Sequence, residues 1–205
     1  MVLEIGLRGN NSFMKVHFIR HSKTFGNTLH RYIGRTNEPL CEEGIELLKY
    51  RNYPKVQKVF VSPMIRCIET ADIIYNNLDK TVIKGLEECD FGDFENKNYI
   101  ELKGNEDYQK WIDSNGTMPF PKGDDLKDFK DRCVKAFEKV IYISLDKKYN
   151  EIAFVVHGGT IMAIMERYSY PHKDYYEWQV KNGEVISTLI NEEEWNKGNK
   201  KLFTF

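Results

Sequence analysis

The sequence predicts an α/β fold of three layers, α/β/α, in which helices cover both faces of a mostly parallel central sheet and a small lid is inserted. Strand-like and helix-like segments alternate along the chain, the order that a parallel sheet covered by helices requires. The length of 205 residues matches one domain of about 100–200 residues. Hydrophobic residues make up 41% of the chain, enough for a sizeable core.

Each element follows from its own residues. KVHFIR (15–20) is compact, β-branched and aromatic and runs into turn-rich sequence, so it is expected to be the first strand. Residues 21–40, rich in Gly, Asn, Thr and Pro, are expected to form a long loop. CEEGIELLKYR (41–51) has acidic residues early and basic ones late, as a helix macrodipole favours. KVFVS (58–62) reads as a short buried strand. SPMIRCIETADIIYNNL (62–78) follows as a helix, with Ser62 expected as N-cap and Pro63 in the first turn. Ile65, Ile68, Ala71, Ile73 and Ile74 give that helix its apolar stripe. TVIKGLEE (81–88) is expected to hold a further short strand.

Residues 89–123 are irregular, interrupted by Gly92, Gly104, Gly116, Pro119, Pro121 and Gly123, and form the expected lid. DDLKDFKDRCVKAFEKVIYISL (124–145) is a long amphipathic helix, EIAFVVH (151–157) a strand and GGTIMAIMERY (158–168) a helix. GEVISTLINEE (183–193) and KLFTF (201–205) are expected to close the sheet. Residues 14–205 therefore make one domain. Met14 opens MKVHFIRH in the manner of a natural start, so residues 1–13 are expected to be a leader or extension whose deletion leaves activity intact.

Composition excludes several classes. Thirty Lys and Arg against 31 Asp and Glu give a net charge of −1, which argues against a nucleic-acid-binding surface or an anionic membrane as partner. No apolar run approaches the ~20 residues of a membrane helix, and the N-terminus lacks signal-peptide character. Cys41, Cys67, Cys89 and Cys133 form no CxxC pair and are expected to be reduced, in a cytoplasmic protein.

The chemistry lies at strand tips, where open α/β sheets bind ligands. Arg20-His21 ends the first strand, Ser62 the second with Arg66 one turn further on, and His157 another, followed at once by Gly158-Gly159. Two arginines, two histidines and helix amides approached through glycine make a compact cationic site. A phosphate dianion, which Arg binds by forked hydrogen bonds, is the most economical ligand. Singly, each residue has an ordinary alternative as a solvated turn or a simple connection; three segments carrying the same chemistry to one sheet edge favour the site. His17 and His21 have the spacing of a zinc pair on a helix, but on a strand they stand about 13 Å apart, so no metal pair is expected. His17 is expected to be a strand residue, and His30 and His172 to lie on the surface.

RHSKTFGN (20–27) resembles the R-H-G-E/Q-T-x-x-N signature of the histidine phosphatase superfamily, the phosphoglycerate mutase-like fold. Arg20, His21, Thr24 and Asn27 match, with Ser22 in place of glycine and Lys23 in place of Glu or Gln. GRTNEPLCEEG (34–44), with Asn37 where Asp is usual, VSPMIRCIETA (61–71), LEECDFGDFEN (86–96) and VVHGGTI (155–161) are similar to further family segments in the same order. The likeness spans roughly residues 15–190. MPFPKGDDLKDFKDRC (118–133) and DFGDFE look like the small-phosphatase branch that includes α-ribazole phosphatases of cobalamin assembly, and the chain is shorter than typical mutases.

The resemblance implies a phosphomonoester hydrolase working through a phosphohistidine on His21. It implies that Arg20, Arg66 and His157 hold the phosphoryl oxygens, that Asn27 and the Gly158 amide add hydrogen bonds, and that Glu88 is the proton donor, with Glu87 its rival. No metal and no cofactor is implied; the partner is a small phosphomonoester, for which the small-phosphatase likeness suggests α-ribazole-5′-phosphate. The alternatives are a phosphoglycerate mutase-type phosphotransferase and a non-catalytic phospho-ligand binder. Phe91, Phe94, Tyr99, Trp111 and Phe120 either stack on a planar substrate group or form a small lid core. Oligomeric state is not legible.

Overall fold

The computed structural model describes residues 12–205. Its strands are β1 (Phe13–Arg20), β2 (Lys58–Val61), β3 (Lys80–Val82), β4 (Glu151–Val156), β5 (Ser169–Tyr170), β6 (Val185–Asn191) and β7 (Leu202–Thr204). Its helices are α1 (Phe25–Thr28), α2 (Glu42–Lys49), α3 (Ile65–Ile74), α4 (Glu106–Asp113), α5 (Leu126–Asp146), α6 (Gly158–Tyr168) and α7 (Glu192–Asn196). One sheet runs β3-β2-β4-β1-β6-β7-β5. Pairing is parallel from β3 through β2 and β4 to β1 and between β5 and β7; β6 runs antiparallel to both its neighbours. The sheet is mostly parallel, as expected.

Side-chain alternation on the central strands shows why both faces must be covered. On β4, Ile152, Phe154 and Val156 pack with Phe18 of β1, Phe137 and Ile141 of α5 and Ile161 and Ile164 of α6. Ala153 and Val155 point the other way, onto Cys67 and Ala71 of α3. Every one of these side chains is fully buried; each large aliphatic or aromatic one contributes about 1.5–3 kcal/mol by leaving water. A third cluster joins Phe94, Leu102 and Phe120 of the lid to Phe129 and Cys133 of α5 and Ala163 of α6.

Several boundaries differ from expectation. Phe13 pairs with Asn191, so β1 starts before the expected residue 15; of the expected leader, residues 1–11 lie outside the described residues. Ser62 is not an N-cap and Pro63 lies before the helix: α3 starts at Ile65, whose N–H is capped from a distant loop by Asn37 Oδ1 at 2.8 Å. The short strand expected within 81–88 is β3, which begins one residue earlier, at Lys80, and ends at Val82. The expected loop 21–40 contains the single turn α1, closed by a Thr24/Asn27 capping box. The expected irregular lid contains α4, where Asn105 Oδ1 accepts from Tyr108 N at 2.9 Å. The strand expected over 183–193 stops at Asn191, which caps α7.

Candidate active site

Register between two neighbouring strands assembles the site. Arg20 stands opposite Val156, and the His21 amide donates to Val156 O at 2.8 Å. Arg20-His21 and His157 therefore leave the carboxyl edge of the sheet at one level, and the His21 and His157 rings meet edge-on at 5.2 Å between centroids.

Hydrogen bonds fix the state of each imidazole. His21 Nδ1 lies 2.7 Å from Ser22 O; a carbonyl only accepts, so Nδ1 carries the proton and Nε2 keeps its lone pair. Burial first, then the Arg66 and Arg20 guanidiniums, hold the His21 pKa well below the usual imidazole value. His157 accepts at Nδ1 from Arg66 Nε (3.3 Å), so its proton sits on Nε2, 2.7 Å from Ser62 Oγ. Burial, with Arg66 next, keeps it neutral as well.

Ser22, where the family pattern has glycine, is fully buried and does not adopt a left-handed backbone. Its hydroxyl donates to Gly44 O at 2.6 Å and its amide to Thr70 Oγ1 at 3.0 Å. A Cβ on Gly44 would lie 2.1 Å from Lys23 O, so glycine is required on this opposing segment. Lys23 pairs with Glu43.

Arg66 is completely buried. Besides Nε to His157, Nη1 donates to Thr36 O (2.8 Å) and Nη2 to Gly34 O (2.8 Å) and Ile33 O (3.3 Å). Arg20 Nη1 donates to Val180 O at 2.7 Å, while its buried Nε has no partner among the described residues. Asn27 Oδ1 accepts from Thr24 N and from Asn182 Nδ2, both at 3.2 Å, which leaves its NH2 group to donate.

Glu88 is buried, with Oε1 accepting from Cys89 N and Oε2 from Gly159 N, each at 3.0 Å. Burial raises its carboxyl pKa despite those two bonds and the nearby guanidiniums of Arg66 and Arg20. A Cβ on Gly159 would meet Glu88 Oε1 at 2.3 Å, so the second glycine of the pair makes room for the carboxylate. Glu87 instead points to Arg132, 3.6 Å away.

Arg20, His21, Asn27, Glu88 and Gly158 line a cavity of about 440 Å3, with Arg66 and His157 behind its wall. Tyr32, Phe91, Trp111, Phe120, Tyr175 and Tyr176 line the same cavity. The aromatic lid thus divides: Phe94 is core, Phe91, Trp111 and Phe120 reach the cavity, and Tyr99 is exposed beside an adjoining one of about 820 Å3. No cluster of three or more His, Cys, Asp or Glu suited to a metal occurs among the described residues, nor does a helix long and apolar enough to cross a membrane. The four cysteines form no disulfide.

Residues not singled out from the sequence complete the frame. Asn182 Nδ2 donates to His21 O (3.0 Å) and Gly183 N to Arg20 O (3.0 Å), clamping the 179–183 loop over the first strand tip. Arg132 donates to the carbonyls of Glu87 and Glu88 and pairs with Asp124. Asn182-Gly183 is a turn signal in the sequence, but nothing in it announces which strand it touches.

A candidate α-ribazole-5′-P phosphatase of Escherichia coli superposes with a TM-score of 0.76 at 24% identity, over 89% of this chain and 93% of that one. A phosphoglycerate mutase of Bacillus anthracis superposes with a TM-score of 0.70 at 22% identity, over 88% and 89%. The 2,3-bisphosphoglycerate-dependent phosphoglycerate mutase 2 of Gloeobacter violaceus is 27% identical, over 72% of each chain. The family model of the histidine phosphatase superfamily (branch 1) matches residues 16–199, and the chain belongs to that family.

Proposed function

We propose that the chain hydrolyses a phosphomonoester in two steps through a phosphohistidine on His21. The observation that carries this reading is the His21 Nδ1–Ser22 O bond, which leaves Nε2 unprotonated and free to attack. In the first step the Nε2 lone pair forms the N–P bond, the ester P–O bond breaks, and Glu88 gives its proton to the leaving oxygen. In the second step water attacks phosphorus, the N–P bond breaks, and the proton of water returns to Glu88. Arg20, Asn27 and the Gly158 amide stabilise the phosphoryl oxygens from the cavity wall, and Arg66 and His157 do so from behind it, His157 by exchanging one of its bonds to Arg66 or Ser62. Arg66 already commits Nε, Nη2 and one Nη1 hydrogen to protein acceptors, so one Nη1 hydrogen is left to meet substrate unless bonds exchange.

The arginines supply the charge that a divalent ion supplies in other phosphoryl-transfer sites, so turnover is expected to survive EDTA. Replacing His21 with Ala is expected to lower kcat by several orders of magnitude and to abolish acid-labile 32P labelling of the denatured protein. Retained turnover or label in that variant rejects the scheme.

A mutase reading is favoured by the Gloeobacter relative and the Bacillus neighbour. Against it stand the aromatic walls of the cavity, which suit a bulky planar leaving group better than glycerate. α-Ribazole-5′-phosphate, which carries a benzimidazole, is the specific substrate this supports. Phosphate release from it, set beside isomerisation of 3-phosphoglycerate with a bisphosphate primer, separates the two.

A further inference from the structure

Arg66 is a fully buried cation with no carboxylate within ion-pair distance among the described residues. A bare buried charge is costly, so something must compensate it. Its acceptors are the carbonyls of Ile33, Gly34 and Thr36. On the other side of this segment lies Glu95, which has no basic partner of its own among the described residues. Its Oε1 accepts from Gly34 N (3.1 Å), Arg35 N (2.9 Å) and Phe91 N (3.1 Å), and its Oε2 from Thr36 N (3.3 Å) and Thr36 Oγ (2.7 Å).

Two peptide groups are bonded at both ends. In the Ile33–Gly34 peptide the N–H donates to Glu95 and the carbonyl accepts from Arg66; the Gly34–Arg35 peptide repeats the arrangement. N–H and C=O of a trans peptide point in opposite directions, so carboxylate, peptide dipole and guanidinium line up. Gly34 permits it, because a Cβ there would lie 2.3 Å from Glu95 Oε1 and 1.9 Å from Cys89 O.

We propose that Glu95 is a positioning residue that forms a peptide-relayed ion pair with Arg66. It holds the 33–36 segment, strengthens those carbonyls as acceptors, and fixes the guanidinium against His157. Standing one peptide away, it does so without taking the one Nη1 hydrogen that Arg66 leaves uncommitted. The inference rests on the phosphatase reading for its catalytic consequence.

The test is a double-mutant cycle in kcat/KM for p-nitrophenyl phosphate, with Glu95→Gln, Arg66→Ala and both together. Glu95→Gln is expected to cost about 10- to 100-fold in the native background, mostly in kcat, and under twofold when Arg66 is already Ala, as coupled neighbours behave. A merely structural role lowers both backgrounds alike, and that result overturns the proposal, as does a native-like rate in the single variant. Should Glu95→Gln fail to fold, Thr36→Val, which removes only the hydroxyl bond to Oε2, is expected to show the same non-additivity at smaller size; additivity there is equally fatal. If native protein hydrolyses no phosphomonoester, the phosphatase reading has failed. The cycle is then read from the inorganic phosphate Kd, where a Glu95→Gln effect that vanishes without Arg66 supports the relay and an effect independent of Arg66 overturns it.

Discussion

At the scale of single residues, burial sets the two protonation states the proposed chemistry needs. His21 is held neutral because burial and two guanidiniums disfavour its cation, and Glu88 is held toward its acid form by burial. The proposed reactive form has His21 without its extra proton, a state kept until pH falls well below 6.5, and Glu88 protonated, a state that persists above its ordinary 4.5. With an alkyl phosphate, kcat/KM is therefore expected to peak on the acid side of neutrality and fall as pH rises through the Glu88 pKa. Glu88→Gln should remove that alkaline limb and cost about 10²- to 10⁴-fold, but far less with p-nitrophenyl phosphate, whose phenolate leaves unaided. A rate that climbs toward pH 9 contradicts the assignment. Arg20, His21, Glu88 and His157 were legible in the sequence because each is a reactive type at a strand tip or in a family segment. The place of Glu95 was not, because four of its five donors are backbone amides, three of them 59–61 residues away, and these carry no side-chain signature.

At the scale of elements, the lid separates what periodicity can reveal from what it cannot. α5 was readable because its apolar stripe is buried against the sheet, with Phe129, Cys133, Phe137, Val140 and Ile141 facing inward. α4 has only eight residues and buries none of them fully, and the glycines and prolines around it suggested irregular chain. Its Trp111 stacks on Tyr108 and contacts Phe120 while lining the cavity. Trp111→Ala is expected to raise KM for an aryl-bearing phosphomonoester about tenfold or more, in line with the ~1.4 kcal/mol that an aromatic contact provides. Competitive inhibition by inorganic phosphate should change little in the same variant; equal losses of both would show that Trp111 supports the fold and not the leaving group. The misplaced start of α3 has a different cause: its cap comes from Asn37, which no local pattern around residue 62 reveals.

At the scale of the whole molecule, the same burial that prepares the site couples stability to pH. His17, His21 and His157 all have folded pKa values below 6.5, His17 despite its bond to Glu151. Unfolded chains bind those protons more readily, so the stability these residues contribute is complete above pH 6.5 and is lost as pH falls toward the folded values. Glu88, raised in the fold, works in the opposite sense, but it is one group against three. Tm is expected to drop steadily from pH 7 to pH 5, and His17→Gln, remote from the cavity, should flatten that slope while leaving turnover unchanged. The alternation of strands and helices predicted the layered sheet because β1, β2 and β4 are buried on both faces; the two-residue β5 was too short to predict. Arg20 and His21 leave the ribosome early, whereas Val156, His157 and the Asn182 clamp emerge only after about three-quarters of the chain has been made. On the phosphohistidine reading, a nascent chain thus carries its proposed nucleophile through most of translation without the partners that would arm it, and reactivity arrives late.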